Sequence, residues 1–283
     1  MVVAAFAAVE VAGPIRAGAL DLGRIVLAAR RLAPLTRVGA EPIVPPPTVL
    51  RRARDIVFSN VGFSFAAGRP PVLDNVDAMV PAGRRVALIG PSGAGKSTLL
   101  GLAAGLVVPD AGRVLIGGAP LAGPGLAADG ARIGLLSQDT RLFAGTIAEN
   151  LRLGRPEATD IDLMEALDLA GFLPVLDKLG HGLESRLGEG GRGLSGGEQR
   201  RLALARLVVA APDVWLLDEP TEGLDAATAA GVAAGLARAT EGATTLIVTH
   251  LAREAGLATR SGEWTHAAGS PSAAGVAARP APR

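Results

Sequence analysis

The nine residues GPSGAGKST, Gly90 to Thr98, constrain this chain more than any other stretch. Through Gly90, Gly95, Lys96 and Ser97 they match the phosphate-loop pattern. Gly93 and Gly95 allow backbone conformations that turn several N–H groups inward toward an anion. The helix expected to follow presents its N-terminal donors to the same anion. Lys96 adds a point charge between the β- and γ-phosphates, and the Ser97 hydroxyl suits Mg²⁺. Ser92 and Thr98 lie within the same nine residues and complete the nucleotide-binding set. Such a loop needs a strand before it and a helix after it. GRRVALIG (Gly83 to Gly90) and STLLGLAAGL (from Ser97) supply both. The motif says nucleotide without saying which one.

The rest of the chain repeats that alternation. IGLLS (Ile133 to Ser137), VWLLD (Val214 to Asp218) and TTLIVTH (Thr244 to His250) are short apolar runs of the kind buried in parallel sheets. DIVFSNVGFSF alternates as a strand at the edge of a pair. IDLMEALDLAGFLPVLDKL and EQRRLALARLVVA read as helices. Strands alternating with helices imply an α/β domain with a mostly parallel sheet. Residues 139–210 contain no convincing strand and read as a helical insertion.

VWLLDEP puts Asp218 and Glu219 at the carboxyl end of a predicted strand, where open α/β sheets bind ligands. Asp218 would reach the Mg²⁺ held by Ser97, and Glu219 would orient the attacking water beside the γ-phosphate. Before Pro220 the same pair could be an ordinary acidic turn, a reading that weakens once the phosphate loop is considered.

The ends read differently. Nothing basic precedes Arg16, which argues against a secretory signal. The uninterrupted apolar run Met1 to Val9 falls far short of the roughly 20 residues that a membrane helix needs. Arg16 to Val38 has a helical pattern with spaced arginines, and EPIVPPPT (Glu41 to Thr48) breaks it as an extended linker. The Ala/Pro/Gly-rich residues 263–283 read as a disordered tail. A net charge of +1 gives no argument for nucleic acid, and the absence of cysteine excludes disulfides and thiolate metal sites.

LSGGEQRRLALAR begins at Leu194. Ser195 can cap a helix, and Gly196 and Gly197 leave donors unshielded at its N-terminus, which makes a second anion site. Leu194 to Gln199 resembles the signature motif of ATP-binding cassette (ABC) proteins, and the resemblance covers most of Asp55 to Thr259. It implies an ABC nucleotide-binding domain over residues 51–262: a mostly parallel core sheet, an antiparallel β subdomain and a helical subdomain at about 139–210. It also implies ATP and Mg²⁺, and two cassettes paired head to tail so that one signature closes on the other's ATP. Residue by residue, Phe65 matches the aromatic that stacks on adenine, usually Tyr in the family. A strand-core Phe is the alternative. Gln138 matches the glutamine that contacts Mg²⁺ and the attacking water, Asp225 the loop that crosses the dimer interface, and His250 the histidine at the γ-phosphate.

DTRLFAGTIAENL (Asp139 to Leu151) is similar to the exporter type, where this segment meets the membrane domain. LGEGGRGLSGGEQRRLALAR, DEPTEGLD and the opening AAFAAVEVAGPIRAGALDLGRIVLAARRL resemble the CydC subunits of heterodimeric cysteine/glutathione exporters of bacteria. This implies a cassette at the cytoplasmic face of the bacterial plasma membrane, with a CydD-like partner or a second copy of itself and a transmembrane domain outside this chain. Residues 1–40 would be the remnant of the last membrane helix and 41–50 the linker. After His250 the family expects further sheet elements, and LAREAGLATRSGEW trailing into a low-complexity tail implies their loss. A free-standing soluble ABC ATPase and a non-hydrolysing remnant remain as alternatives.

Overall fold

The computed structural model describes residues 53–66, 68–250, 260–263 and 279–280. The expected N-terminal helix, the proline linker and most of the expected tail lie outside them.

The phosphate loop is built into a six-stranded sheet. Its strands are β3 (Arg85–Ile89), β7 (Ile133–Leu136), β10 (Val214–Asp218), β11 (Thr244–Thr249), β12 (Arg260–Glu263) and β13 (Arg279–Pro280), in the order β13-β12-β3-β11-β10-β7. All pairings are parallel except the one between β12 and β13. The apolar runs are continuous because both faces are covered. Every residue of β10 and β11 is buried. Helix α1 (Lys96–Ala103) follows β3 and packs against β10 and β11 through Leu99, Leu100 and Leu102. Burying each such leucine is worth about 1.5–3 kcal/mol relative to leaving it exposed.

A second sheet is antiparallel, in the order β2-β1-β4-β5-β6. It comprises β1 (Ile56–Phe63), β2 (Leu73–Val80), β4 (Ala111–Ile116), β5 (Ala119–Gly123) and β6 (Leu126–Ala127). β1 is not an edge strand as its alternation suggests. It is flanked by β2 on one side and β4 on the other.

The insertion between β7 and β10 is helical, as expected. It contains α2 (Ile147–Arg152), α3 (Asp160–Leu169), α4 (Leu173–Leu179) and α5 (Gly196–Ala210). Thr146 caps α2 and Thr159 caps α3, each in a reciprocal capping box worth about 1 kcal/mol. The run Ile161 to Leu179, read as one helix, is two, because Gly171 at φ +64° turns the chain between them. The insertion also holds a two-residue pairing of β8 (Gly145–Thr146) with β9 (Arg186–Leu187). Helix α6 (Ala226–Ala239) connects β10 to β11.

One expectation is corrected. The sheet does not end at β11, because β12 adds to the far side of β3 with Ser261 opposite Ala87. Backbone pairing needs no apolar signature, so RSGE carries no sequence pattern that announces a strand. β13, within the expected tail, pairs with it.

Among the described residues, no helix is long and apolar enough to cross a membrane.

Candidate nucleotide site

The phosphate loop leaves β3 at Gly90, whose N–H reaches Thr249 O at the end of β11. Gly93 and Gly95 adopt φ of +80° and +83°, so both need the left-handed freedom of glycine. Their surroundings differ. A Cβ on Gly95 would come within 2.9 Å of Leu73 Cδ2 and 3.1 Å of Val72 O, whereas one on Gly93 would meet nothing within 4 Å. Gly93 therefore borders open space, and Gly95 is wedged against β2 and the turn before it.

Lys96 is buried, and its Nζ donates to Gly90 O and Pro91 O, each at 2.8 Å. An ammonium has three donors, so one is left for an anion in the loop. Ser97 hydrogen-bonds the Asp218 carboxylate. Burial raises the Asp218 pKa, and Glu219 raises it further; Ser97, Arg200 and Lys96 oppose the shift without cancelling it.

The loop forms one wall of a cleft of about 350 Å³. Phe65, Val72, Ser92, Thr98, Gln138 and Glu219 also line it. Phe65 is 70% exposed, so it is not a core strand residue. Phe63 meets it edge to face, with ring centroids 5.1 Å apart.

Glu219 lines the same cleft from just past β10, at φ +49°. Gln138 Nε2 donates to its Oε2 at 3.0 Å, and His250 Nδ1 lies 2.5 Å from its Oε1. Burial pushes the Glu219 pKa up, but hydrogen bonds from His250, Glu222 and Gln138 and the His250 charge outweigh it, and the net shift is down. His250 is correspondingly raised, by its hydrogen bond to Glu219 and then by that group's charge.

The structure thus brings together most of the residues singled out in the sequence: Phe65, the loop from Gly90 to Thr98, Gln138, Asp218, Glu219 and His250. Ser195, Gly197 and Asp225 do not line this cleft. Ser195 is the N-cap of α5, with its N–H and hydroxyl both on Glu198 Oε2 at 2.8 Å. Gly197 borders a separate cavity of about 470 Å³, shared with Gln138, Arg200 and Glu222. Asp225 caps α6, its Oδ1 accepting from the Thr228 N–H at 3.0 Å. Two nearby groups escaped the sequence reading. Glu222 has a carboxylate oxygen within 4.8 Å of ligand atoms of both Glu219 and His250. Arg200 reaches the Asp218 carbonyl from α5. Glu222 could have been found from its spacing of three residues after Glu219. Nothing in the sequence distinguishes Arg200 from its neighbour Arg201.

The donor set suits a nucleoside triphosphate with a hard cation. Inward N–H groups and one lysine proton face the loop, and oxygen donors from Ser97, Asp218 and Gln138 lie beside it.

The ABC transporter family pattern matches residues 73–222. The chain belongs to the ABC transporter family. It is 40% identical over 195 residues to the β-(1→2)glucan export ATP-binding/permease protein NdvA of Bradyrhizobium diazoefficiens, covering 69% of this chain and 32% of that protein. It is 37% identical over 252 residues to the glutathione/L-cysteine transport system ATP-binding/permease protein CydC of Escherichia coli, covering 88% and 43%. Among solved structures it resembles a bacterial Atm1-family ABC exporter with ATP bound, with a TM-score of 0.72, 30% identity, and coverage of 89% of this chain and 43% of that one. The chain thus spans less than half the length of these relatives. The fold is that of the ATP-binding cassette of ABC exporters.

Proposed function

We propose that this cassette binds and hydrolyses ATP to power an exporter at the cytoplasmic face of a bacterial plasma membrane. The observation that carries the proposal is the two-sided hold on Glu219, by Gln138 and His250, in the cleft that the phosphate loop lines.

Adenine would stack on Phe65, and the phosphates would take the N–H groups of Gly93 and of Gly95 to Thr98 and the third proton of Lys96. Ser97, Asp218 and Gln138 would hold Mg²⁺, which would supply positive charge to offset that of the triphosphate. Glu219 orients a water for in-line attack on the γ-phosphorus and accepts its proton, and the β–γ bridging oxygen leaves with ADP. His250 holds Glu219 in place and contacts the γ-phosphate. Both Glu219 oxygens are already held, so little reorganisation precedes the reaction.

Ser195, Gly197 and Asp225 lie outside their own chain's cleft, so they act on a partner's ATP. The partner is a second cassette, either a CydD-like chain or a copy of this one. Membrane helices outside this chain convert closure and reopening into transport.

The finer reading is a CydC-like half of a cysteine/glutathione exporter. Its support is the length of the similarity: 252 residues against CydC, compared with 195 against the glucan exporter. The test is ATPase activity of the chain with candidate partner cassettes, against Glu219→Gln. Activity that the substitution abolishes is expected. Equal inertness of both proteins with every partner, while ATP still binds, would overturn the enzymatic reading. Glutathione uptake by inverted vesicles carrying the assembled exporter tests the substrate.

A further inference from the structure

The peptide joining Asp218 to Glu219 is held on both sides. Its N–H, that of Glu219, donates to Val248 O in β11 at 2.9 Å. Its C=O, that of Asp218, accepts from Arg200 Nη2 in α5. The peptide needs such a hold. Glu219 sits at φ +49°, a left-handed conformation that a non-glycine residue keeps only when its surroundings impose it. A further bond, from Glu222 N–H to Glu219 O at 3.0 Å, continues the turn. Arg200 is the sole member of this set that comes from the helical insertion.

We infer that Arg200 is a positioning residue for Glu219, and that it ties the setting of Glu219 to the position of the signature helix. This inference rests on the hydrolytic reading above. The geometry makes the link short. Ser195 caps α5, and Arg200 lies on the same helix just past its first turn. Arg200 also borders the cavity that Gly197, Gln138 and Glu222 line, so the helix start, the glutamine and the turn after β10 surround one space. A helix moves as a rigid body over so short a length. Any displacement of its N-terminus, such as a partner's phosphate docking there, carries the guanidinium with it. The Asp218 carbonyl follows, and with it the direction of the Glu219 side chain. One ATP site thereby reports to the other within a single chain. Lysine would be a partial substitute: it can donate to one carbonyl, but without the planar fork that fixes the guanidinium.

The test uses the full chain as Arg200→Met and Arg200→Lys, with hydrogen exchange read in the nucleotide-free protein and steady-state ATPase read with the partner cassette. For Arg200→Met, exchange at the Glu219 amide is expected to rise about tenfold, the effect of losing one charge-assisted hydrogen bond, while Val214 to Leu217 are unchanged. The kcat should fall about 100-fold, as a small misplacement of a catalytic group does, with the KM for ATP within about twofold. Arg200→Lys should fall between Arg200→Met and the wild type on both readouts, and it serves alone if Arg200→Met does not fold. Unchanged exchange at Glu219 overturns the clamp. Faster exchange with unchanged kcat overturns the positioning role and leaves only a structural one. If the wild type has no Glu219-dependent ATPase, the hydrolytic reading falls and the positioning role falls with it, while exchange still decides the clamp.

Discussion

His250 Nδ1 lies 2.5 Å from Glu219 Oε1, across 31 residues of sequence. The register of the sheet sets this distance. In the parallel pairing of β10 with β11, Asp218 is level with Val248, so each strand delivers its next residues to the same edge. Glu219 follows Asp218, and His250 follows Thr249. The histidine gains a carboxylate partner, which raises its pKa above the ordinary 6.5. In an NMR titration its midpoint is expected above that value, and Glu219→Gln should bring it back down. An unmoved midpoint in the variant would mean that the pair does not form in solution.

The same pair gives a pH window for stability. The His250 contribution is complete below the ordinary value and is lost as pH rises through the raised one. The Glu219 contribution is present above its ordinary 4.5 and is lost as pH falls through the lowered one. The difference in melting temperature between wild type and His250→Gln should therefore be largest between these limits and shrink on both sides. A difference independent of pH from 4 to 9 would exclude the ion pair as its source.

Glu219→Gln keeps the shape of the side chain and removes its basicity. Loss of a positioned general base typically costs about 10²–10⁴ in rate. That loss is expected in kcat, with nucleotide affinity retained, because no phosphate donor changes. Equilibrium binding of a fluorescent ATP analogue beside the ATPase assay separates the two effects.

Lys96→Met has a different expected profile. Lys96 Nζ satisfies Gly90 O and Pro91 O inside the loop, so its loss leaves two carbonyls without their partner as well as removing the charge. Nucleotide binding should fall below detection, and stability should drop by about 1–3 kcal/mol even without ATP. Denaturant melts of the apo protein check the second part.

The chemistry of this site was legible because it sits on the most regular parts of the sheet. The loop, Asp218, Glu219 and His250 each follow an apolar run, and a parallel sheet places the ends of such runs together. Phe65 and Gln138 needed the family resemblance, since an aromatic and an amide in loops carry no pattern of their own. The antiparallel strands β4 and β5 were not legible from residues alone, because AGRVLI and APLAG show little alternation. Helix α6 was missed for a related reason. Most of AATAAGVAAGLARA is alanine and glycine, with no stripe of large apolar side chains to mark a buried face. What buries that face is close approach, which a sequence does not display.

Two glycines of α6 make that close approach testable. At Gly235 an added Cβ would lie 1.9 Å from Leu169 O, at the end of α3, so the helices touch backbone to backbone there. At Gly231, on the exposed side, an added Cβ would meet nothing within 4 Å. Both are Gly→Ala changes in one helix, so the gain in helix propensity, up to about 1 kcal/mol, is common to them. Gly231→Ala should therefore raise the melting temperature. Gly235→Ala should lower it, because the methyl group must push α3 from α6 at a cost of about 1–3 kcal/mol or more. Circular dichroism melts of the two variants decide the matter. Equal stabilisation by both would show that α6 and α3 are not in backbone contact, and that the helical insertion is not seated against the core through Leu169.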